Sequence, residues 1–298
     1  MFIIYINDLP DSVKSSLLKI FADDTKIFKT IANVQDKEDL QRDLDSLSIW
    51  SIKWLLPFNE PKCKVIHYGK NNPGHQYSMN GIPLADDKIE KDLGVTFDSG
   101  LKFENHISNT TSKANSRVGI IRKTFSTLNK KNFPLLYKSM VRPILEYCTP
   151  IWSPILKRDI NELEKVQHRA TKLVKGIQNL EYCDRLKALG LPTLIYRRKR
   201  ADMLEVFKII HGYSDMDKNM FFQFNTREGA RGHSLKILKF HCNSSLRKHS
   251  FSQRIINTWN SLPEEVVSAD SINSFKNKLN NHWKDDPGKF DPTFSTYY

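Results

Sequence analysis

The sequence predicts an α+β fold in which a mixed first third is followed by a mostly α-helical remainder. Up to about residue 97, short apolar segments alternate with turn residues, whereas from Glu104 onward apolar residues recur three or four apart. Hydrophobic residues make up 39% of the 298 positions, which is enough to bury a core. We expect four parts: residues 1–97, 98–178, 179–284 and a frayed tail at 285–298.

The first hundred residues combine short strands with one amphipathic helix. Residues 17–28 are predicted to form a β-hairpin whose tight turn is Asp23-Asp24. A helix is predicted to begin at Asp39 and to end before Pro57, because its apolar residues lie on one face. Those apolar residues are Leu40, Leu44, Leu47, Trp50 and Trp54. Further short strands are predicted at 64–68, 77–79 and 93–97, with a turn at Gly81-Ile82-Pro83.

Helical periodicity dominates from Glu104. One apolar face is formed by Ile107, Thr111, Ala114, Val118, Ile121, Phe125 and Leu128, which predicts a single long helix. Later helices are predicted at 133–141, closed by Pro143; at 160–173, closed by Gly176; at about 192–210; and at 272–283. Residues 213–250 are polar and poorly periodic.

Two classes of protein are excluded by composition. No run approaches the roughly 18 apolar residues that a membrane-spanning helix requires. The apolar N-terminus lacks the basic region and the cleavage site of a secretory signal. The four cysteines are scattered without CxxC spacing, which favours reduced thiols over a disulfide framework or a zinc site. We therefore expect an intracellular protein, in the nucleus or the cytoplasm.

Positive charge is concentrated after the first sixty residues. Residues 1–60 carry 7 Lys+Arg and 10 Asp+Glu, so their net charge is −3, and the formal total of +13 leaves +16 for the rest. Residues 102–131 contribute +6 and residues 157–200 contribute +7. Such basic stretches are typical of proteins that bind polyanions, but solvated lysine-rich helices have the same composition. Charge alone leaves both interpretations open.

Adjacent carboxylates at Asp23 and Asp24 form the one constellation that indicates chemistry. Two like charges held together repel each other unless a cation binds them, and Mg²⁺ takes carboxylate oxygens together with substrate phosphate oxygens. That arrangement is used in two-metal phosphoryl transfer. Because aspartate is also a favoured turn residue, an ordinary hairpin turn is the structural alternative.

Several segments resemble, in order, the second half of the palm of non-LTR (LINE-type) retrotransposon reverse transcriptases. These are Ile4-Tyr5-Ile6-Asn7-Asp8-Leu9-Pro10; Phe21-Ala22-Asp23-Asp24-Thr25; Trp54 with Phe58-Asn59 and Lys62-Cys63-Lys64-Val65; and Asp92-Leu93-Gly94-Val95. Downstream, the segments 136–147 with Trp152, 163–170 and 259–263 resemble the thumb and C-terminal region of the same family. The resemblance covers nearly the whole chain, so residues 1–97 are expected to be a partial palm, followed by a helical thumb and a helical C-terminal domain.

The resemblance implies specific roles for several residues. Asp23 and Asp24 match the metal-binding pair, which implies Mg²⁺ as the cofactor, with Mn²⁺ as an alternative ion. Lys62 matches a lysine that assists the pyrophosphate leaving group, although a solvated loop lysine is its structural alternative. Leu93-Gly94 matches the turn of the primer-grip hairpin, where glycine allows close backbone approach, and an ordinary turn is again the alternative.

The expected partners are an RNA template, a DNA primer and deoxynucleoside triphosphates. The candidate nucleic-acid contacts are Lys113, Arg117, Arg122 and Lys123 on the first long helix and the cluster Arg197-Arg198-Lys199-Arg200. For the cluster, a solvated helix face is the structural alternative.

One departure from the family pattern bears on activity. Family members place the fingers, the first palm aspartate and an endonuclease domain upstream of the segment that matches Ile4-Tyr5-Ile6-Asn7-Asp8, and this chain begins at Met1. We therefore expect that the chain does not polymerise alone. Two other hypotheses stay open: a non-catalytic RNA- or DNA-binding protein derived from the element, and a decayed reading frame without a biochemical role.

Overall fold

The computed structural model describes residues 2–225 and 232–294 of the chain. They form two compact units, Met1–Leu101 and Lys102–Tyr298. The first unit is mixed and the second is mostly helical, so the predicted α+β class is confirmed at that level. The finer boundaries predicted near residues 97, 178 and 284 stay predictions.

Paired strands and one long helix make up the first unit. Its helices are α1 (Phe2–Ile6) and α2 (Val34–Lys53), with 3₁₀ turns at Leu9–Ser12 and Glu60–Lys62. Its strands are β1 (Leu17–Phe21), β2 (Asp24–Phe28), β3 (Lys64–Val65), β4 (Ser78–Met79), β5 (Ile82–Pro83), β6 (Ala85–Asp86), β7 (Ile89–Asp92) and β8 (Val95–Asp98). The antiparallel pairs are β1 with β2, β4 with β5 and β7 with β8, whereas β3 and β6 pair in parallel.

Helix α2 begins five residues earlier than its apolar periodicity predicts. Asn33 caps its first turn, because its side chain accepts a hydrogen bond from the Asp36 backbone N–H and the Asp36 side chain accepts from the Asn33 N–H. The apolar face of α2 contributes Leu44, Leu47 and Trp50 to the core of this unit. The cap, which lies outside the periodic stretch, therefore sets the start of the helix.

Turns in this unit also differ from the predicted ones by one or two residues. The strand pair β4–β5 turns at Asn80-Gly81, where both residues have positive φ, so Ile82 and Pro83 lie in a strand. Leu93 belongs to a turn and not to a strand. Two-residue hairpin turns require positive φ, which explains why the turn centres on the asparagine-glycine pair.

The second unit is built from helices. They are α3 (Glu104–Thr124), α4 (Asn132–Leu136), α5 (Arg142–Glu146), α6 (Thr149–Trp152), α7 (Lys157–Thr171), α8 (Tyr182–Leu189), α9 (Leu194–Ile210), α10 (Lys218–Phe221), α11 (Ser245–His249), α12 (Phe251–Arg254), α13 (Ile256–Asn260), α14 (Glu264–Val267) and α15 (Ile272–His282). Helix α3 buries Ile107, Ala114 and Ile121, as its periodicity predicts, but it ends at Thr124, so the predicted members Phe125 and Leu128 lie beyond it and Phe125 is 37% exposed. In the part of the chain that the structure describes, no helix is long and apolar enough to cross a membrane.

Pro143 does not end a helix, contrary to the sequence-based prediction. A π-helical segment, Tyr137–Val141, joins α4 to α5, and the Arg142 N–H donates to the Tyr137 carbonyl. Pro143 lies in the first turn of α5, where a backbone N–H is not needed for a hydrogen bond within that helix. The wider turn therefore lets the chain stay helical through the proline.

The C-terminal segment is held against the start of α9 instead of being frayed throughout. The Thr193 hydroxyl donates to the Gly288 carbonyl at 2.8 Å, and the Thr193 N–H donates to the Lys289 carbonyl at 2.9 Å. Composition favours a frayed tail from residue 285, but it does not reveal these long-range bonds. Residues 295–298 of that predicted tail lie outside the described residues.

Candidate catalytic hairpin and nucleic-acid interface

The β1–β2 hairpin presents the paired carboxylates in an exposed tight turn. Phe21 pairs with Asp24, so the two turn residues are Ala22 and Asp23, and Ala22 takes a positive φ of 53°. The predicted hairpin is therefore present, but its turn lies one residue earlier than the predicted Asp23-Asp24 turn. Asp23 and Asp24 are both exposed, and Asp24 belongs to β2.

Opposite faces of this hairpin have different roles. Leu18, Ile20 and Ile27 are half-buried against the core of the first unit, which includes Leu44 and Leu47 of α2. Directly paired residues share a face, so Asp24 shares the outer face with its partner Phe21, which is 63% exposed. Packing of one face on this core thus holds the other face, with its carboxylate, toward the surface.

A second hairpin, β7–β8, carries the candidate primer-grip turn. Leu93 and Gly94 are its two turn residues and both have positive φ, 43° and 85°. That backbone suits glycine and is strained for leucine, so the turn has a structural reason for its Gly94. Asp92, the last residue of β7, forms an ion pair with Lys26 of β2. The two hairpins are therefore tied by a contact that sequence spacing does not indicate.

The segment before β1 is anchored to α2. The Trp50 indole N–H donates to the Asp8 carboxylate at 3.0 Å. Asp43, which is buried, accepts hydrogen bonds from the Lys14 N–H at 3.0 Å and from both the N–H and the hydroxyl of Ser15. Burial alone would raise the pKa of Asp43, but these hydrogen bonds outweigh it and lower the pKa. The carboxylate thus fixes the chain entering the hairpin.

Lys62 ends the 3₁₀ turn Glu60–Lys62 and its side chain is exposed. Its backbone N–H donates to the Asn59 carbonyl at 2.9 Å, which closes the Asn59-x-x-Lys62 turn. The role implied by the resemblance stays a prediction, as do the roles of Asp23, Asp24, Leu93 and Gly94.

The residues available for a divalent metal are fewer than a complete site needs. Within residues 2–225 and 232–294, no group of three or more His, Cys, Asp or Glu side chains is arranged to hold a metal ion. Asp23 and Asp24 therefore offer two adjacent carboxylates, whereas Mg²⁺ prefers near-octahedral oxygen coordination. The described residues alone do not fit a complete magnesium site.

Helix α3 carries four exposed cations: Lys113, Arg117, Arg122 and Lys123, called the α3 cations below. Among the described residues, none of them lies within ion-pair distance of a carboxylate. All four are exposed, whereas Ile107 and Ala114 of the same helix are buried. The positive charge of this surface is therefore available to phosphates.

The side chains of the cluster 197–200 are buried or engaged by other residues of the second unit. Arg197 donates from Nε and Nη2 to the Glu146 carboxylate at 2.7 and 2.6 Å. Arg198 is only 3% exposed, and Lys199 pairs with Asp286 at 3.2 Å. Arg200 donates from Nε to the Asn280 side-chain oxygen at 2.8 Å. The alternative of a solvated face does not describe these residues, and nucleic-acid binding by all four together stays a prediction.

Glu164 and Gln167 belong to a buried polar network that the sequence did not reveal. Glu164 accepts a hydrogen bond from the Tyr182 hydroxyl at 2.6 Å and from the Leu194 N–H at 3.0 Å. Gln167 accepts from the Tyr137 hydroxyl at 2.8 Å. Burial raises the pKa of Glu164, which these hydrogen bonds only partly offset. Both residues lie within the apolar stripe of α7. Polar residues in such a stripe were the sequence signal that could have predicted a buried network.

Comparison with known proteins finds relatives from mobile elements, among them three RNA-directed DNA polymerases. The RNA-directed DNA polymerase from mobile element jockey of Drosophila melanogaster is 24% identical over 190 residues, 59% of this chain and 20% of the relative. The jockey polymerase of Drosophila funebris is 26% identical over 167 residues, 54% of this chain and 18% of the relative. The probable RNA-directed DNA polymerase from transposon X-element of Drosophila melanogaster is 22% identical over 188 residues, which are 60% of this chain and 21% of the relative.

The chain is related to non-LTR retrotransposon reverse transcriptases. The family resemblance predicted from the motifs is thereby confirmed, although each of these relatives matches only 54 to 60% of the chain and not nearly all of it. The chain spans about a fifth of the length of the curated relatives it matches. No protein-family model matches the chain, and no solved structure matches it significantly.

Proposed function

We propose that the chain is the second half of the palm, the thumb and the C-terminal region of an RNA-directed DNA polymerase from a non-LTR retrotransposon. The observation that carries the proposal is the β1–β2 hairpin, in which Asp23 and Asp24 are exposed on an element packed on the core of the first unit. In the proposal these two carboxylates contribute to a magnesium site that other residues complete. Bound Mg²⁺ would activate the primer hydroxyl and stabilise the leaving oxygen.

Exposed apolar residues support a further polypeptide partner for the first unit. Ile49 and Ile52 of α2, and Leu55 two residues after its end, lie three residues apart and are 68%, 67% and 86% exposed. Exposed apolar residues concentrated in this way are typical of interaction surfaces. We infer that this surface packs against polymerase segments upstream of the residues that match Ile4-Tyr5-Ile6-Asn7-Asp8. The RNA template, DNA primer and deoxynucleoside triphosphates belong to that complete enzyme.

Primer extension tests the polymerase proposal. Residues 1–298 alone should extend no primer with Mg²⁺ or Mn²⁺, because two carboxylates are an incomplete metal site. The same residues placed in frame behind the upstream polymerase segment of the jockey relative should synthesise DNA on RNA. Asp23→Asn should abolish synthesis, since an amide lacks the charge that holds the ion, whereas Lys62→Ala should slow it by about 10²- to 10⁴-fold.

The matched control is Asp45→Asn, which removes an exposed carboxylate of α2 away from the hairpin. It should leave extension unchanged. Full activity in the Asp23→Asn protein, with the Asp45→Asn protein equally active, would refute the assignment of the site.

A second candidate function, a non-catalytic RNA- or DNA-binding protein, is favoured by one observation. The α3 cations have no carboxylate partner among the described residues, so this surface can bind phosphates without any catalytic metal. Binding of RNA by residues 1–298, together with failure of the joined polymerase to extend a primer, would support this candidate over the first.

A further inference from the structure

Three arginines and one carboxylate lie near one another on two helices of the second unit. Arg197 of α9 holds Glu146 of α5 in a bidentate hydrogen bond at 2.7 and 2.6 Å. Arg142, one turn earlier on α5, has its Nε 3.7 Å from the same carboxylate, which is too long for a hydrogen bond. Arg200, one turn after Arg197, is positioned by the Asn280 side chain of α15 at 2.8 Å.

The charges in this cluster do not balance. Three guanidinium groups and one carboxylate leave a local charge of +2, and Glu146 is the only carboxylate within ion-pair distance of them among the described residues. Arg197 places one hydrogen bond on each Glu146 oxygen. Arg142 shares that carboxylate only as a long ion pair, and Arg200 has no carboxylate within ion-pair distance among the described residues.

Partial burial makes that imbalance costly. The side chains of Arg142, Glu146 and Arg197 are only 24%, 21% and 23% exposed. Burial, followed by repulsion from the Arg197 charge, lowers the pKa of Arg142 and of Arg200. Arginine stays protonated in spite of such shifts, so the cluster keeps an excess positive charge that a bound anion would compensate.

We propose that Arg142 and Arg200, beside the Arg197–Glu146 pair, bind one phosphate group of a nucleic-acid backbone. A guanidinium fork matches two phosphate oxygens, and helices α5, α9 and α15 hold the two forks in place before the anion arrives. Nucleic acid is favoured as the source because the whole chain carries +13, which concentrates polyphosphates near it. This choice of ligand rests on the proposed function.

The test uses residues 1–298 and two readouts. The first is fluorescence anisotropy of a labelled single-stranded RNA oligonucleotide at several KCl concentrations. The second is the thermal melt in inorganic phosphate compared with chloride at equal ionic strength. The variant is Arg142→Gln/Arg200→Gln, and the matched control is Arg169→Gln, which removes one charge from an exposed arginine of α7.

We expect the double variant to bind RNA about tenfold more weakly and to lower the slope of log K against log[salt] by about 0.7, the value for one phosphate contact on a single strand. Phosphate should raise the melting temperature of the wild type and of Arg169→Gln but not that of the double variant. Should the double variant lose its cooperative melt, Arg142→Lys/Arg200→Lys replaces it. That variant keeps the charge and should still bind several-fold more weakly, because ammonium groups do not form the fork.

The other outcomes separate the possible ligands. If the double variant folds, binds RNA like the wild type and keeps the phosphate effect, the site is refuted. Loss of the phosphate effect with unchanged RNA binding would overturn nucleic acid as the source in favour of free phosphate. If the wild type binds no RNA but the phosphate effect depends on both arginines, the proposed function fails and the anion site stands. Displacement of RNA by polyglutamate that depends on both arginines would overturn the phosphate in favour of an acidic peptide.

Discussion

The buried ion pair between Asp202 of α9 and Arg254 of α12 should be a major determinant of the stability of the second unit. Arg254 donates from Nε and Nη2 to the two Asp202 oxygens, both at 2.8 Å, and the side chains are 4% and 1% exposed. Nη2 also donates to the Pro150 carbonyl at 2.8 Å, and Nη1 to the His249 carbonyl at 3.2 Å. One side chain thus links α6, α9 and the α11–α12 corner.

Asp202→Ala leaves the Arg254 charge buried without its carboxylate. Breaking a buried pair in this way costs about 3 to 5 kcal/mol. For a unit of this size, 1 kcal/mol shifts the melting temperature by about 2 to 4 °C, so the expected fall is about 6 to 20 °C. Replacing both residues, as in Asp202→Leu/Arg254→Met, should cost less than Asp202→Ala, because no charge then remains buried.

Thermal and urea unfolding followed by circular dichroism measures these effects. The control is Asp184→Ala, which breaks the exposed Lys187–Asp184 pair at 3.5 Å and should change the free energy of unfolding by less than about 1 kcal/mol. A fall for Asp202→Ala no larger than that of the control would refute the reasoning, since it would mean that Arg254 finds water or another acceptor at little cost.

Two further predictions concern the α3 cations and Asp43. Replacing the four α3 cations by Ala should lower the slope of log K against log[salt] for single-stranded RNA by up to about 3, since each phosphate contact contributes about 0.7. The control variant replaces four exposed lysines of the first unit, Lys14, Lys19, Lys53 and Lys70, and an equal fall there would contradict a specific α3 surface. The folded-state pKa of Asp43 lies below its ordinary value, so its contribution to stability is present above the unfolded pKa of about 3.9 and is lost as pH falls through the folded pKa. Asp43→Asn should therefore destabilise the protein at neutral pH and progressively less in acid, as measured by urea unfolding, and a penalty independent of pH would contradict the assignment.

Local patterns predicted the elements whose formation depends on neighbouring residues. The hairpin around Asp23, the apolar face of α3 and the last helix, α15, follow from periodicity and turn chemistry within one short segment. Element ends were less predictable. The Asn33 cap and the π-helical segment before Pro143 depend on backbone hydrogen bonds that periodicity does not register.

The sequence by itself determined the α+β class, the exposed carboxylate hairpin and the relation to reverse transcriptases, because each depends on patterns within short segments and on the order of those segments. Only the tertiary structure decided the state of each charged side chain. Arg197 and Arg117 are the same residue type and each lies on a long helix, yet Arg197 holds Glu146 and Arg117 is exposed. The physical reason is that the free energy of a charge depends on its burial and on partners that lie far away in sequence, and these are fixed only when the helices pack.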